Sequence, residues 1–376
     1  MTPFHRRYAR PLALIVLAGV TVVLPAFHLA RKLAANTGRI RISFTELLVL
    51  LAVLFLFALG LGLGFAHALR WLAATLRPSQ RWTPRTARAA KVWTGVFCLL
   101  CGLVLYARYL EPRWLSVRTQ PITLPGLREP LRLVIFSDVH SDNRFDLDGT
   151  LAMRINRETP DVLIFLGDAL NSPDRAPAFR AALSAMRARY AKLAIRGNWD
   201  TWFWDDIDLF GGTGFVELKQ GWRDVQAGTN TLRIGAHAFL DDYSPAEVIG
   251  QVPPGKGPTL FLYHANDYVP AAARAGVDLY LCGDTHGGQI QIPLWGALFS
   301  VGRLGRDFVR GAYREGATQV YVTPGVGVER KLPLRLGVRP EITVLVLGPE
   351  STEPTGVARF PGRAMKNGAW TIAHAP

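Results

Sequence analysis

The chain has 376 residues, 49% of them hydrophobic, with three cysteines and a formal charge of +14. That length holds about two or three domains with a sizeable core, and three cysteines exclude a disulfide framework. Residues 1–115 hold 15 Lys+Arg against 2 Asp+Glu and the remainder is within one charge of neutral, so the charge does not read as a nucleic-acid surface.

Three apolar runs come first: Leu12–Leu29, Phe44–Leu69 and Val92–Leu110. Each is close to the ~20 residues that cross the hydrocarbon core. Basic flanks surround them: Arg6, Arg7 and Arg10, then Arg31, Lys32, Arg39 and Arg41, then Arg70, Arg77, Arg81, Arg85, Arg88 and Lys91. Such flanks accompany membrane insertion. Buried core helices of a soluble protein are the competing reading. With three spans, the N-terminus and second loop share nine basic residues, against six on the opposite side. The positive-inside rule then places the N-terminus in the cytoplasm and the C-terminal domain outside.

Residues 112–130 carry Pro112, Pro121, Pro125 and Pro130 and read as a linker. Beyond it, short apolar runs each end in polar residues. Leu131–Ser137 leads into Asp138-Val139-His140, Val162–Leu166 into Gly167-Asp168, and Leu193–Arg196 into Gly197-Asn198. Leu260–Tyr263 leads into His264, and Leu279–Cys282 into Gly283-Asp284-Thr285-His286. Runs of this kind suit strands buried on both faces. Ala178, Phe179, Ala182, Leu183 and Met186 keep helical spacing across 176–190. A single Asp after a strand is ordinarily a turn or a helix cap. Five strand ends carrying Asp, His and Asn can instead gather one ligand cluster at one sheet edge.

In order and spacing these motifs resemble the calcineurin-like metallophosphoesterase family, over about residues 111–348. The extension Gly287-Gly288-Gln289, Tyr321–Gly327 and Arg339-Pro340-Glu341-Ile342 are similar to its membrane-associated bacterial branch. The resemblance implies a four-layer α/β/β/α sandwich, here preceded by an all-α transmembrane region. The chain is then expected to divide into a membrane domain at 1–111, a linker at 112–130, the catalytic domain at 131–349, and a mostly disordered tail at 350–376, which has little apolar periodicity. The resemblance also implies a two-metal site. Asp138, His140, Asp168 and His286 would hold one ion, Asp168 would bridge, and Asn198, His264 and Asp284 would complete the second. Such a pair acidifies water and clamps a phosphoryl group for in-line attack. All these donors are oxygen or nitrogen, which suits Mn²⁺, Fe or Zn²⁺.

Two positions depart from the family pattern. Asp284 stands where the family usually has His; the harder carboxylate shifts the balance toward Mn²⁺. Trp199 stands where the family usually has a His that assists the leaving group. Indole only donates a hydrogen bond, and Arg196, Asp200 and His237 are its neighbours in sequence or nearby. An active enzyme with this change favours leaving groups that depart as stable anions, as from a pyrophosphate. The UDP-2,3-diacylglucosamine pyrophosphatases of the family act on such a linkage. Trp202, Phe203 and Trp204, and the segment Ile292–Phe299, read either as an acyl groove or bilayer contact, or as ordinary packing. The expected protein is thus a multi-pass, inner-membrane metallophosphoesterase with a phosphorylated, lipid-linked substrate and no predicted protein partner. The alternative is a catalytically weak binding or sensor protein on the same scaffold.

Overall fold

The computed structural model describes residues 44–76, 83–142, 148–239, 244–255, 257–330 and 332–349, with short paired strands at 364–366 and 369–371. The expected span Leu12–Leu29 and most of the tail after 349 lie outside the described residues. The chain divides into two compact units, Met1–Leu110 and Glu111–Pro376.

In the first unit, α1 is Phe44–Leu76 and α2 is Pro84–Leu105, continued by a π-helical turn at Tyr106–Leu110. Thr83 caps α2, its hydroxyl accepting from the Thr86 N–H at 3.3 Å, and Pro84 occupies the first turn where no N–H is needed. The basic residues Arg85, Arg88 and Lys91 therefore ride on the first turns of the helix. Gly60 and Gly64 let α1 approach α2: a Cβ on Gly64 would lie 2.5 Å from the Cβ of Phe97. Small residues spaced by four at such a contact are a feature of apolar helix pairs. Leu47–Ala73 and Pro84–Arg113 are long and apolar enough to cross a membrane, and only 11% and 6% of their most apolar windows are buried.

The second unit contains β1 (Ser116–Leu124), β2 (Leu131–Phe136), β3 (Val162–Phe165), β4 (Ala191–Ala194), β5 (Val216–Glu217), β6 (Gln220–Ala227) and β7 (Asn230–His237). It continues with β8 (Thr259–Leu262), β9 (Leu279–Cys282), β10 (Gln291–Ile292), β11 (Gly296–Ala297), β12 (Gly311–Glu315), β13 (Thr318–Val322) and β14 (Glu341–Pro349). One sheet runs β1-β14-β2-β3-β4-β5, with β2 to β5 parallel; the other runs β12-β13-β9-β8-β7-β6, with β7, β8, β9 and β13 parallel. A small hairpin, β10 with β11, lies outside both.

Alternation along the strands makes the layers. Val162 and Ile164 of β3 face a core shared with Leu260 and Leu262 of β8 and Leu279 and Leu281 of β9. Leu163 and Phe165 face outward onto α3 (Asp148–Arg157) and α4 (Ala176–Ala185) through Ile155, Phe179 and Leu183. On the far side, Phe261 and Tyr280 pack on α6 (Pro245–Ile249) and α7 (Val269–Arg274) through Val248, Val269 and Ala272. Helix, sheet, sheet, helix is the four-layer α/β/β/α sandwich expected. Both faces of each sheet are covered, which is why these strands are apolar throughout.

Two local expectations change. Residues 116–124, read as part of a linker, form an edge strand parallel to β14. Ile122 and Leu124 supply its buried face, and Pro121 is tolerated because an edge strand does not need every N–H. The helix expected to 190 ends at Ala185, where Met186 turns extended and the Arg187 N–H is taken by Asn156 Oδ1 at 2.8 Å.

Candidate metal centre

The five strand ends meet at one edge of the sandwich. Asp138 and His140 follow β2, Asp168 follows β3, and Asn198 opens α5 (Asn198–Phe203) after β4. His264 follows β8, and Asp284 and His286 follow β9. All seven are buried.

Their polar atoms converge. Asp138 Oδ1 lies 3.3 Å from His286 Nε2 and 3.9 Å from His264 Nε2. Asp168 Oδ2 lies 3.4 Å from His140 Nε2 and 3.3 Å from His264 Nε2, so one oxygen faces an imidazole on each side. His140 Nε2 and His286 Nε2 are 3.2 Å apart, and Asp284 Oδ1 is 3.6 Å from His264 Nε2. Two ligand-competent groups result: Asp138, His140 and His286; and Asp138, Asp168 and His264. Asp138 is common to both, a sharing the sequence assigned to Asp168 alone.

The donors are also left unsatisfied. Among the described residues, nine buried side-chain polar atoms make no hydrogen bond, and six belong to this cluster. They are both oxygens of Asp138, His140 Nδ1, Asn198 Oδ1, His264 Nε2 and His286 Nδ1. Buried polar atoms are rarely orphaned, and a cation between them would account for most of these. His264 is already oriented for this: its Nδ1 donates to the Leu166 carbonyl at 2.7 Å, leaving Nε2 toward the carboxylates. The His/Asp clusters thus suit a dinuclear divalent metal site.

Electrostatics agree. Burial, reinforced by Asp168, raises the Asp138 pKa to about 7. Burial acts to raise Asp168 as well, but His264 and the Trp199 N–H hold it below its ordinary value. Burial would lower His264, yet Asp168, Asp138 and Asp284 outweigh it and push that pKa up to about 10. Burial lowers His140 to about 4 and takes His286 well below the usual imidazole range. The cluster therefore holds protons where a cation would compete for the same lone pairs.

The backbone is specialised at these points. Eight non-glycine residues among those described have positive φ, and Asp138 (54°), His140 (44°), Asp168 (63°), Asp284 (65°) and His286 (50°) are five of them. Left-handed conformations of non-glycine residues are sparse and collect at functional sites. Glycines make room beside them: a Cβ on Gly167 would fall 2.4 Å from the Gly197 nitrogen, and one on Gly197 would fall 2.2 Å from Asp168 Oδ1.

Asp200, Arg196 and His237 do not reach the cluster as replacements for a motif imidazole. Asp200 Oδ2 accepts from the N–H groups of Asp168 (2.8 Å) and Gly197 (2.9 Å), and Oδ1 from Ala169 (2.8 Å). It clamps two site loops together, and burial next to Asp168 raises its pKa to about 6. Arg196 binds Glu217 and the carbonyls of Trp204 and Ile207. His237 Nδ1 lies 2.7 Å from the Ala238 carbonyl. Trp199 itself is buried, its ring edge-on to His140 with centroids 5.2 Å apart.

Sequence reasoning missed Arg335. Its guanidinium is fully buried and donates to the carbonyls of Pro324, Gly325 and Gly327. That fixes the loop whose Gly325 lies against Asp138, where a Cβ would come within 2.6 Å of the aspartate Cβ. Nothing local distinguishes Arg335 from nearby Arg330 and Arg339, so its role was not legible.

Metal binding should release protons. Burial holds a proton on Asp138 and the surrounding carboxylates hold one on His264, and both must lose their protons to ligate. Calorimetry in buffers of differing ionisation enthalpy should record proton release on metal binding at pH 7, and less of it as the pH rises. Affinity should rise as pH increases; no proton release would contradict the cluster as ligands.

The calcineurin-like phosphoesterase family matches residues 131–288. An uncharacterized metallophosphoesterase of Bacillus subtilis, YkuE, is 31% identical over 264 residues, covering 64% of this chain and 88% of its own. The phosphodiesterase YaeI of Escherichia coli is 28% identical, covering 64% of this chain and 92% of its own. A Bos taurus transmembrane protein with a metallophosphoesterase domain is 29% identical, covering 74% of this chain and 67% of its own. With its two sheets carrying the clustered Asp and His residues at their edge, the chain belongs to the calcineurin-like metallophosphoesterases and is a phosphoester hydrolase.

Proposed function

We propose that the protein is a membrane-anchored, two-metal phosphoesterase that prefers substrates with good leaving groups, lipid-linked pyrophosphates such as UDP-2,3-diacylglucosamine being the first class to test. The observation carrying this reading is the convergence of Asp138, His140, Asp168, His264, Asp284 and His286, with Asn198, whose buried Oδ1 makes no hydrogen bond, at the end of the neighbouring strand. Asp138, His140 and His286 would hold one ion, and Asn198, His264 and Asp284 the other, with Asp168 and Asp138 between. Mn²⁺ is the favoured ion, with Fe and Zn²⁺ as alternatives. Bound there, the ions would supply Lewis-acid charge to the phosphoryl oxygens and acidify water for in-line attack.

The chain's own residues do the remaining work. Leu166 and Asp168 orient His264, and the Trp199 N–H holds Asp168 through its Oδ1 at 2.9 Å. Asp200 and Arg196, which flank Trp199 in sequence, are committed to backbone N–H groups and carbonyls, and the indole itself only donates a hydrogen bond. Leaving groups that depart as stable anions avoid the need for a proton donor. This supports pyrophosphates or activated diesters over simple alkyl monoesters.

Anchoring rests on the two long apolar helices, whose Leu56, Phe65, Leu76 and Leu99 side chains are exposed. Interfacial basic residues are counted as retaining the N-terminus in the cytoplasm and placing the catalytic domain on the other side. A reporter that fluoresces only in the cytoplasm should stay dark when fused after Glu350; fluorescence would reverse the orientation.

Asp168→Ala should abolish metal-dependent turnover while the folded secondary structure persists, checked by circular dichroism and a metal-supplemented hydrolysis screen. The screen should compare a UDP-linked acyl sugar, a simple phosphodiester and a monoester; unchanged turnover in the variant refutes the site. Trp199→His should raise kcat on alkyl phosphodiesters by up to about a hundredfold, the low end of acid catalysis. Pyrophosphate turnover should change much less, and equal gains on both would refute the leaving-group argument.

A further inference from the structure

Aromatic rings form a continuous collar from one side of the metal cluster to the other. His140 meets Trp199 at 5.2 Å between centroids, and Trp199 meets Phe203 at 5.1 Å. Phe203 meets Trp202 at 6.3 Å, Trp202 meets Phe239 at 5.8 Å, and Phe239 meets His264 at 6.3 Å. The series therefore starts on an imidazole of one ligand group and returns to an imidazole of the other. Each separation lies within the range of aromatic pairing.

The two outer members face solvent. Trp202 is 39% and Phe203 49% exposed, whereas Trp199 and Phe239 are buried. Exposed rings at the end of a short helix could be loose, but these are held. Asp200 clamps the start of α5 through three backbone N–H groups. Arg196 pins the chain beyond it through the carbonyls of Trp204 (2.9 Å) and Ile207 (2.8 Å). The Trp204 indole N–H donates inward to the Leu170 carbonyl at 2.9 Å. Rigid, half-exposed aromatics beside a reaction centre are a preorganised apolar surface.

Charge decides what that surface accepts. Trp204 is followed at once by Asp205 and Asp206, both exposed, with exposed Asp208 close behind. Asp208 caps the Phe210 and Gly211 N–H groups, but exposed Asp205 and Asp206, within four residues of both rings, would disfavour a second anionic group there. An uncharged apolar group would not incur that repulsion.

We propose that Trp202 and Phe203, with Trp199 and Phe239 behind them, bind an uncharged apolar group esterified to the phosphate held at the metal cluster. This rests on the site reading above and narrows its substrate class. The group is aliphatic or aryl, and the two are separable by experiment.

The test is calorimetric binding of methyl-, butyl-, hexyl- and phenylphosphonate to the metal-loaded full chain. Kd should fall about two- to fourfold per added methylene if the surface takes alkyl groups, as expected for burying CH₂. A phenyl gain exceeding that of hexyl would identify an aryl surface. The double variant Trp202→Ala/Phe203→Ala should flatten the dependence on the organic group; Phe203→Ser alone should weaken it without the loss of two large rings. A carboxylate-tipped hexyl chain should bind more weakly than hexyl, with the difference shrinking in Asp205→Asn/Asp206→Asn. Kd independent of the organic group, or an unchanged dependence in the double variant, overturns the proposal while leaving the metal site standing. Failure of methylphosphonate itself to bind, or its equal binding to Asp168→Ala, overturns the site reading instead.

Discussion

Three carboxylates buried around one imidazole set the terms for this structure. Asp138, Asp168 and Asp284 are each at most 5% exposed and all lie within reach of His264. The fully buried guanidinium of Arg335 spends its donors on backbone carbonyls rather than on these oxygens. Removing charges from water costs several kcal/mol per ion in real proteins. Protonation of His264 relieves part of that cost, and divalent ions in the same place would relieve more. The anionic cluster is thus a strain that a bound metal would relieve, and the fold is arranged to preserve it.

Preservation requires the backbone to hold unfavourable conformations. Five candidate ligands sit at positive φ, at an ordinary cost of about 1–3 kcal/mol each when the surroundings impose it. Three devices impose it here. Parallel strands of both sheets deliver their C-terminal ends to one edge. Asp200 ties the loop after β3 to the loop after β4. Arg335 ties the loop before β14 against Asp138. None of these groups carries the chemistry, yet each fixes where a reacting group stands.

Trp199, where the resemblance leads one to expect a histidine, would link chemistry to recognition. The indole fills the position edge-on to His140 and continues outward into Phe203 and Trp202. On the reading proposed above, weak leaving-group assistance and an apolar surface beside the phosphoryl position would be two results of having an indole at this place. A substrate with a good leaving group and an apolar ester would answer both.

The sequence alone made the five ligand-bearing strands and most of the clustered residues legible. Strands covered on both faces must be apolar throughout, so each ends visibly where a polar residue begins; Asp138, Asp168, Asn198, His264 and Asp284 were legible for that reason. Long apolar runs with few charges likewise announced α1 and α2, because length and hydropathy are local properties. Only the tertiary structure decided what depends on distant partners. Ser116–Leu124 became a strand because β14, more than 200 residues away, offered an edge. Asp138 came to face both ligand groups, Asp200 proved a clamp, and Arg335 a buried tie, because each role is defined by backbone groups supplied from other loops. The aromatic collar was half visible as Trp202-Phe203-Trp204, but its closure through Phe239 to His264 exists only once two sheets are packed face to face.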